Sequence, residues 1–481
     1  MSCFRVISAH YSHKILRHLA SAFILLSVIL IVCDVKDLRK FAVYYTVPSL
    51  QFIDPLDRPP SYTNLKKWEQ NLPQHNLNLP FPEGKTGKYI LFTSSQVEIL
   101  GWNNKFINVL MDSFLAYKSN RTYVFYDFSW PDKHYPWPIH KYREWTPHTP
   151  LNAFFSGPTA GSSWGPGDPA PRAISDKWFD VVCPKSERRY INTHDVKPAI
   201  YWEDGSVIFE HWRKILTDAP ERCIEIIPPP PETDGTPQVF DLHVWGSGRS
   251  LSLWEDFKNS PVSQLLSASP IVKLALEVNR HLFTHDDQAP LSSIPSSTPF
   301  GSTLSVHIRR GDYKSQCRHF WTWSSSFYNW NLLPFLPDRF NPPPGFSWGV
   351  NIPENLPIFL ERCFPEIPTI IKRVRDVKKE FMKSAKPGES RVLKVIYIMT
   401  NDHTPWLDDL IMALAKDGWE VARTTADLTL TAEQKDVGVA IDMEIGRQSA
   451  VFLGNGWSSF TSNIVHQRLV DGKDVATIRF L

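Results

Sequence analysis

Apolar residues along this chain fall into two rhythms, and their alternation predicts the architecture. Tyr89-Ile90-Leu91-Phe92-Thr93 is an apolar run of strand length, the pattern of a strand covered on both faces. The turn Gly101-Trp102-Asn103-Asn104 follows, and Phe106, Leu110, Phe114 and Tyr117 then recur at helical spacing. Thr122 to Phe128 returns to strand character. Strand, glycine turn, helix and strand make one βαβ unit, with parallel strands and a right-handed crossover expected.

The pattern breaks and then resumes. From Trp130 to Tyr190 the residues Pro, Gly, Ser and Trp dominate, predicting a long irregular excursion, and Pro228 to Pro231 is a stiff run that no helix tolerates. Pro290 to Pro299, largely Pro and Ser, reads as a linker. Beyond it come a strand at Leu304 to Ile308, a Trp- and Pro-rich loop over Arg318 to Pro357 and a charged helix over Thr369 to Met382. A strong strand at Leu393 to Met399, a helix from Trp406 to Asp417 and a short strand at Glu420 to Ala422 follow. Asp442 is expected to open a helical run that leads to the strand-like Ala450 to Asn455. Strands and helices alternating on both sides of the linker predict an α/β protein of two Rossmann-like domains facing a cleft, residues 88–289 and 300–481 joined by 290–299.

Ahead of these domains Leu19 to Cys33 is apolar, preceded by Lys14, Arg17 and His18 and followed by Asp34, Lys36 and Asp37. The segment is shorter than the roughly 20 apolar residues of a full span. No small-x-small pair follows it, however, so an uncleaved signal anchor is expected in preference to a cleaved signal peptide. Residues 1–18 then form a cytoplasmic tail, 19–33 the transmembrane segment and 34–87 a polar, proline-bearing stem.

Composition narrows the function classes. A formal net charge of +2, with no block of like charges, gives no reason to expect nucleic acid. Four cysteines beyond the anchor fit an oxidising compartment, and of the three possible pairings one bridge per domain is preferred, Cys183 with Cys223 and Cys317 with Cys363. Asn120-Arg121-Thr122 is an N-glycosylation sequon in a polar turn. The chain holds 18 Trp, a residue favoured in cores and on wet, sugar- or protein-binding surfaces alike.

The candidate chemistry gathers after the linker. Leu-Ser-Val-His-Ile-Arg-Arg-Gly-Asp-Tyr, Leu304 to Tyr313, runs an apolar strand straight into paired guanidiniums. Arginine suits forked contact with phosphate oxygens, and ligands of open α/β sheets sit beyond the carboxyl ends of strands, so a diphosphate is the expected ligand. The plainer alternative is an amphipathic strand, Val306 and Ile308 inward, that ends in surface charges. The embedded Arg310-Gly311-Asp312 tripeptide has a strand in front of it and is given little weight as an adhesion motif. Gly454-Asn455-Gly456 leads to Ser458-Ser459-Phe460-Thr461, a hydroxyl cluster at a helix start, where amides and hydroxyls point at anions. Ordinary capping by Ser458 or Ser459 would explain it too, were the arginine strand absent. In His243 to Arg249 the glycine spacing is too short for a dinucleotide fingerprint, and a loop near the cleft is expected, with Arg249 a possible ligand contact.

These blocks resemble the fucosyltransferase group that includes protein O-fucosyltransferases and α1,6-fucosyltransferases, enzymes of the GT-B fold. His307-Ile308-Arg309-Arg310-Gly311-Asp312 is similar to that group's His-x-Arg-Arg-x-Asp block. Asp442 to Thr461 resembles its C-terminal block, and Gly101 to Asn104 its Gly-x-x-Asn turn. Matched motifs cover about forty residues. The resemblance implies GDP-fucose as donor, with Arg309 on the β-phosphate, Arg310 either helping it or bracing the loop, and His307 and Asp312 in the same block, Asp312 as a partner orienting an arginine. It assigns Asp442 or Asp402 to the guanine edge, the hydroxyls of Ser458, Ser459 and Thr461 to the diphosphate, and Phe460 to packing beside the nucleotide. It implies an inverting, metal-independent transfer to a protein hydroxyl or glycan, with no cofactor and with Arg309 standing in for a metal. Glu98 is the candidate general base, with Asn103 or Asn104 orienting the acceptor. The implied setting is a single-pass type II protein of the Golgi or ER membrane with a lumenal body. Two alternatives stay open: a membrane-anchored binding protein of the same fold without turnover, and a transferase using another nucleotide sugar.

Overall fold

The computed structural model describes residues 58–96, 100–142, 147–284, 299–385 and 391–481. The expected tail and anchor, residues 34–57 of the stem, the linker up to residue 298, and Glu98 lie outside them. No helix among the described residues is long and apolar enough to cross a membrane.

Two five-stranded parallel sheets organise the body. The first contains β1 (Tyr89–Phe92), β2 (Thr122–Phe125), β3 (Ile174–Ser175), β4 (Arg188–Asn192) and β5 (Cys223–Ile227), in the order β3-β2-β1-β5-β4. Both β1 and β2 are buried along their whole length, as apolar runs covered on two faces should be. Helix α1 (Trp102–Lys118) connects them and buries Phe106, Leu110 and Phe114. The expected βαβ unit is therefore present, its strands in parallel register from Tyr89 opposite Thr122.

The second sheet holds β6 (Thr303–Ile308), β7 (Val395–Thr400), β8 (Val421–Thr424), β9 (Val451–Gly454) and β10 (Ile478–Phe480), in the order β8-β7-β6-β9-β10. The chain builds outward from β6 on one side, then returns to build outward on the other. The topological switch thus falls between β6 and β9, where the carboxyl ends of two neighbouring strands leave a crevice. Side chains alternate by face. Leu304, Val306 and Ile308 join the core under α3 (Ile367–Lys383) and α4 (Pro405–Lys416), together with Ile396, Ile398, Val451 and Leu453. Ser305 and His307 point to the other face, beneath α5 (Gly438–Gln448) and α6 (Ser459–Val470).

Several elements differ from the sequence expectations. The stretch from Trp130 to Tyr190 is not wholly irregular, since it contributes β3, the helix Asp176–Val182 and the start of β4. The helix Tyr313–Thr322 runs into the region expected as loop. Asp442 does not open its helix: α5 starts at Gly438, just after the short helix Ala432–Asp436 with its Thr431–Gln434 capping box. Cys183 is bonded to Cys223 and Cys317 to Cys363. Asn120 is exposed in a left-handed turn residue after α1, φ 52°.

Arg468 anchors α6 to the sheet from inside. Its fully buried guanidinium donates to the carbonyls of Gly446 (3.0 Å), Ser449 (2.7 Å) and Thr477 (3.3 Å) and to Thr477 Oγ1 (2.8 Å). Those acceptors belong to the end of α5 and the approaches to β9 and β10, so one side chain joins all three segments. Replacing it, Arg468→Met, keeps the volume and orphans the carbonyls, so unfolding stability is expected to fall by about 3 kcal/mol. Denaturant titration checks this; a loss within experimental scatter would contradict the anchoring role.

Candidate functional site

The two arginines after β6 are adjacent in sequence and opposite in circumstance. Arg310 is buried, its guanidinium between the rings of Phe364 (4.0 Å) and Trp406 (3.9 Å). It donates to the Pro365 carbonyl at 2.9 Å and lies 3.6 Å from Glu366. Its backbone exchanges hydrogen bonds with the Asn401 amide, 2.9 Å from its N–H and 3.2 Å to its carbonyl. Arg310 therefore braces the loop against the end of β7. Gly311 follows at φ 61°, a left-handed value that a side chain would strain.

Arg309 keeps its charge available. The side chain is 31% exposed, rests 4.9 Å over the Tyr313 ring and stands 3.7 Å from the exposed Asp312. Its Nε is buried without a hydrogen-bond partner. A guanidinium held by a ring and one loose carboxylate, with donors still unspent, is ready for an anion.

His307 lies under this arginine, on the α6 side of β6. Its Nδ1 is 3.0 Å from Thr461 Oγ1, and its ring meets Phe460 at 4.6 Å. Burial, with the Arg309 charge adding to it, lowers the imidazole pKa from 6.5 to about 3, so the ring is neutral. Thr461 can come this close because Gly454 has no side chain: a Cβ there would meet Thr461 Cγ2 at 2.4 Å. Ser458 caps α6, accepting from the Phe460 N–H at 3.3 Å, while Ser459 is half-buried at the first helical position. The α6 N-terminus therefore faces the crevice beside the arginine loop, with hydroxyls, amides and the positive end of the helix dipole together.

The Gly101 to Asn104 turn meets this end of the second sheet. Gly101 precedes the first residue of α1, the Asn103 carbonyl accepts from Asn463 Nδ2 of α6 at 3.1 Å, and Asn104 Oδ1 accepts from the Tyr328 hydroxyl at 3.1 Å. The structure thus brings His307 to Thr461 and Phe460, Asn103 to Asn463 and Asn104 to Tyr328, around the first turns of α6 and next to the loop that carries Arg309.

The other carboxylates are engaged. Asp402 accepts from the Thr404 N–H (2.7 Å) and hydroxyl (2.5 Å); although partial burial opposes it, those bonds hold its pKa below the usual range. Asp442 is half-buried and accepts from the hydroxyls of Tyr397 (2.6 Å) and Thr425 (2.9 Å), and burial pushes its pKa up to about 6. Arg249 donates to the carbonyls of His243 (2.7 Å), Tyr201 (3.2 Å) and Glu203 (3.3 Å) and so ties its own loop down. Among the described residues no group of three or more His, Cys, Asp or Glu side chains is arranged to hold a metal. Sequence reasoning missed Tyr328 and Asn463, whose partners are far away in the chain, and Tyr313, which was legible only as the last residue of the arginine block.

No family model matches the chain, and no curated protein matches it. Among solved structures it is similar to POFUT1 in complex with GDP-fucose, at 14% identity over 79% of this chain and 94% of that one, TM-score 0.46. It is also similar to NodZ α-1,6-fucosyltransferase soaked with GDP-fucose, at 11% identity over 78% and 91%, TM-score 0.37. A third similarity is to an Arabidopsis thaliana FUT1 mutant in complex with GDP, at 9% identity over 85% and 73%, TM-score 0.35. At scores and identities this low the likenesses carry no weight of their own.

The neutral, buried His307 makes a pH prediction. The unfolded chain takes up a proton at this residue from about pH 6.5 downward, the folded protein only near 3. Its contribution to stability is therefore complete above 6.5 and is lost as pH falls toward 3. His307→Gln is expected to flatten the fall of stability with pH in that window by about one proton's worth, read from denaturation midpoints between pH 4 and 7. An unchanged slope would contradict the burial of a neutral ring.

Proposed function

We propose that this protein is a glycosyltransferase of GT-B architecture that moves fucose from GDP-fucose to a hydroxyl of a protein or glycan, without a metal ion and with inversion at the sugar carbon. The observation that carries the reading is the contrast between the two arginines: one is spent on structure, and the other stands with unspent donors at the switch point beside the N-terminus of α6. The sequence resemblance supplies the sugar and the nucleotide.

On this reading Arg309 forms charge-assisted hydrogen bonds to the β-phosphate, and the α6 amides with Ser458 and Ser459 bind the remaining oxygens. In the transfer the acceptor oxygen bonds to the anomeric carbon as the carbon–phosphate oxygen bond breaks, and GDP leaves with the electron pair. Arg309 stabilises the charge that grows on that leaving group, the role a divalent cation would otherwise fill. The acceptor proton passes to a general base, for which Glu98 just ahead of the Gly101 turn is the candidate, and Asn104 orients the acceptor. Asp402 or Asp442 reads the guanine edge on this reading, a carboxylate accepting from two guanine nitrogens. The anchored, lumenal setting in the Golgi or ER agrees with the two disulfides.

Calorimetry of GDP-fucose, GDP-mannose and UDP sugars is the direct test. GDP-fucose is expected to bind selectively, and Arg309→Ala to weaken it by about 30-fold, the scale of a charged hydrogen bond. Arg310→Ala is expected to lower the melting temperature first. A folded Arg309→Ala that binds GDP-fucose as tightly as the parent would refute the assignment, and tight binding without GDP release in any acceptor screen would favour the binding-protein alternative.

A further inference from the structure

The segment from Tyr328 to Asn331 lies inside the Trp-rich stretch, in which no motif was recognisable, yet it fastens the two halves of the crevice together. The Tyr328 N–H donates to the Gly456 carbonyl at 2.9 Å, and Asn331 Nδ2 donates to the carbonyls of Gly456 (2.9 Å) and Ser458 (3.3 Å). The Trp330 N–H donates to Ser462 Oγ at 3.2 Å. Between them Asn329 is fully buried in a left-handed conformation, φ 50°, a cost that the surrounding bonds hold in place. The segment is thus clamped on the glycine turn and first turn of α6.

From this clamp the Tyr328 side chain crosses to the other half of the crevice, where its hydroxyl donates to Asn104 Oδ1 at 3.1 Å. Tyr313, which carries Arg309 over its ring, and Asp241, paired with Lys197 at 3.1 Å, are the ionisable groups that face it. Burial, with those two groups adding to it, drives the phenol pKa far above its ordinary value, so the hydroxyl keeps its proton and acts as a donor. Glycine at 456 is required by the same packing, since a Cβ there would meet the Phe327 ring at 2.3 Å, one residue before the tyrosine.

We propose that Tyr328 is a positioning residue: its hydroxyl sets Asn104, and with it the first turn of α1, against the diphosphate-binding end of α6. The inference rests on the nucleotide-sugar reading above for its consequence, though not for its geometry. Reacting atoms must be held about 3–3.5 Å apart, and a misplacement of about 1 Å can cost on the order of 100-fold in rate. A strap that spans from the donor turn to the acceptor turn is a direct way to hold that spacing. Tyr328 itself does not have to touch the reacting atoms.

Tyr328→Phe removes only the hydroxyl, and Asn104→Leu removes its acceptor. Three readouts are taken on the full protein: amide hydrogen exchange of residues 102–106, GDP affinity by calorimetry, and kcat and KM for release of GDP from GDP-fucose. The expected result for Tyr328→Phe is faster exchange at the start of α1, GDP affinity within about threefold of the parent, and kcat down about tenfold at unchanged KM. Asn104→Leu should show the same loss, and the double variant no more than either alone. Unchanged exchange in Tyr328→Phe, a fall in GDP affinity that matches the fall in kcat, or losses that multiply in the double variant would each overturn the proposal. A parent protein that binds no GDP would instead refute the nucleotide reading, and the exchange arm would still judge the strap.

Discussion

Strand β6 is covered on both faces, and that constraint organises everything around it. Leu304, Val306 and Ile308 are sealed under α3 and α4, while Ser305 and His307 are sealed under α5 and α6. A charge inside such a strand would pay a desolvation cost of several kcal/mol, so the only place for a guanidinium is past its last residue. The neighbours β7 and β9 run parallel to it in fixed register, Val306 opposite both Ile398 and Leu453, so their polar sequels emerge at the same edge. Asn401, Asn455 and the α6 cap are therefore delivered to one crevice by sheet geometry alone.

Two adjacent arginines in that position solve different problems. One stacks between Phe364 and Trp406 and holds the loop to Asn401. The other is aimed by a tyrosine ring and a weakly placed carboxylate, and its polar edge is left for something else. Residues at the end of the neighbouring strand β9 complete the arrangement. Gly454 admits Thr461 to within reach of His307, and Asn455 ties the turn to the Cys363 carbonyl at 2.7 Å, next to a disulfide. Rigid parts thus surround one adjustable cation, the arrangement expected where charge must be stabilised as it develops.

Much of this was legible in the chain where the signal is local. The β1–α1–β2 unit, β6, β7, α3 and α4 follow from unbroken apolar runs and helical spacing, and the arginine block and hydroxyl cluster follow from residue type at strand ends. What was hidden depends on distant partners. β4 reads Arg-Arg-Tyr-Ile-Asn, too polar for a strand pattern, because it is an edge strand with one neighbour. β3 has only Ile174 and Ser175. Asp442 looked like a helix start because α5 carries no capping signal of its own: its cap position is Val437, without a side-chain hydrogen bond, and the Thr431 capping box belongs to the short helix before it. That Arg310 braces the loop was one of two roles open to it in the sequence, and the choice between them was not readable, since Phe364 and Trp406 come from remote segments. Tyr328 was invisible for the same reason: nothing local distinguishes it from the other aromatic residues of its stretch.

The most direct measurement is a crystal structure of the protein with GDP bound. The diphosphate is expected at the carboxyl ends of β6 and β9, its oxygens within hydrogen-bond distance of the Arg309 guanidinium, the Ser458 hydroxyl and the Ser459 amide, with Arg310 still stacked between Phe364 and Trp406. A diphosphate bound elsewhere, or one gripped by Arg310 with Arg309 turned to solvent, would contradict that expectation.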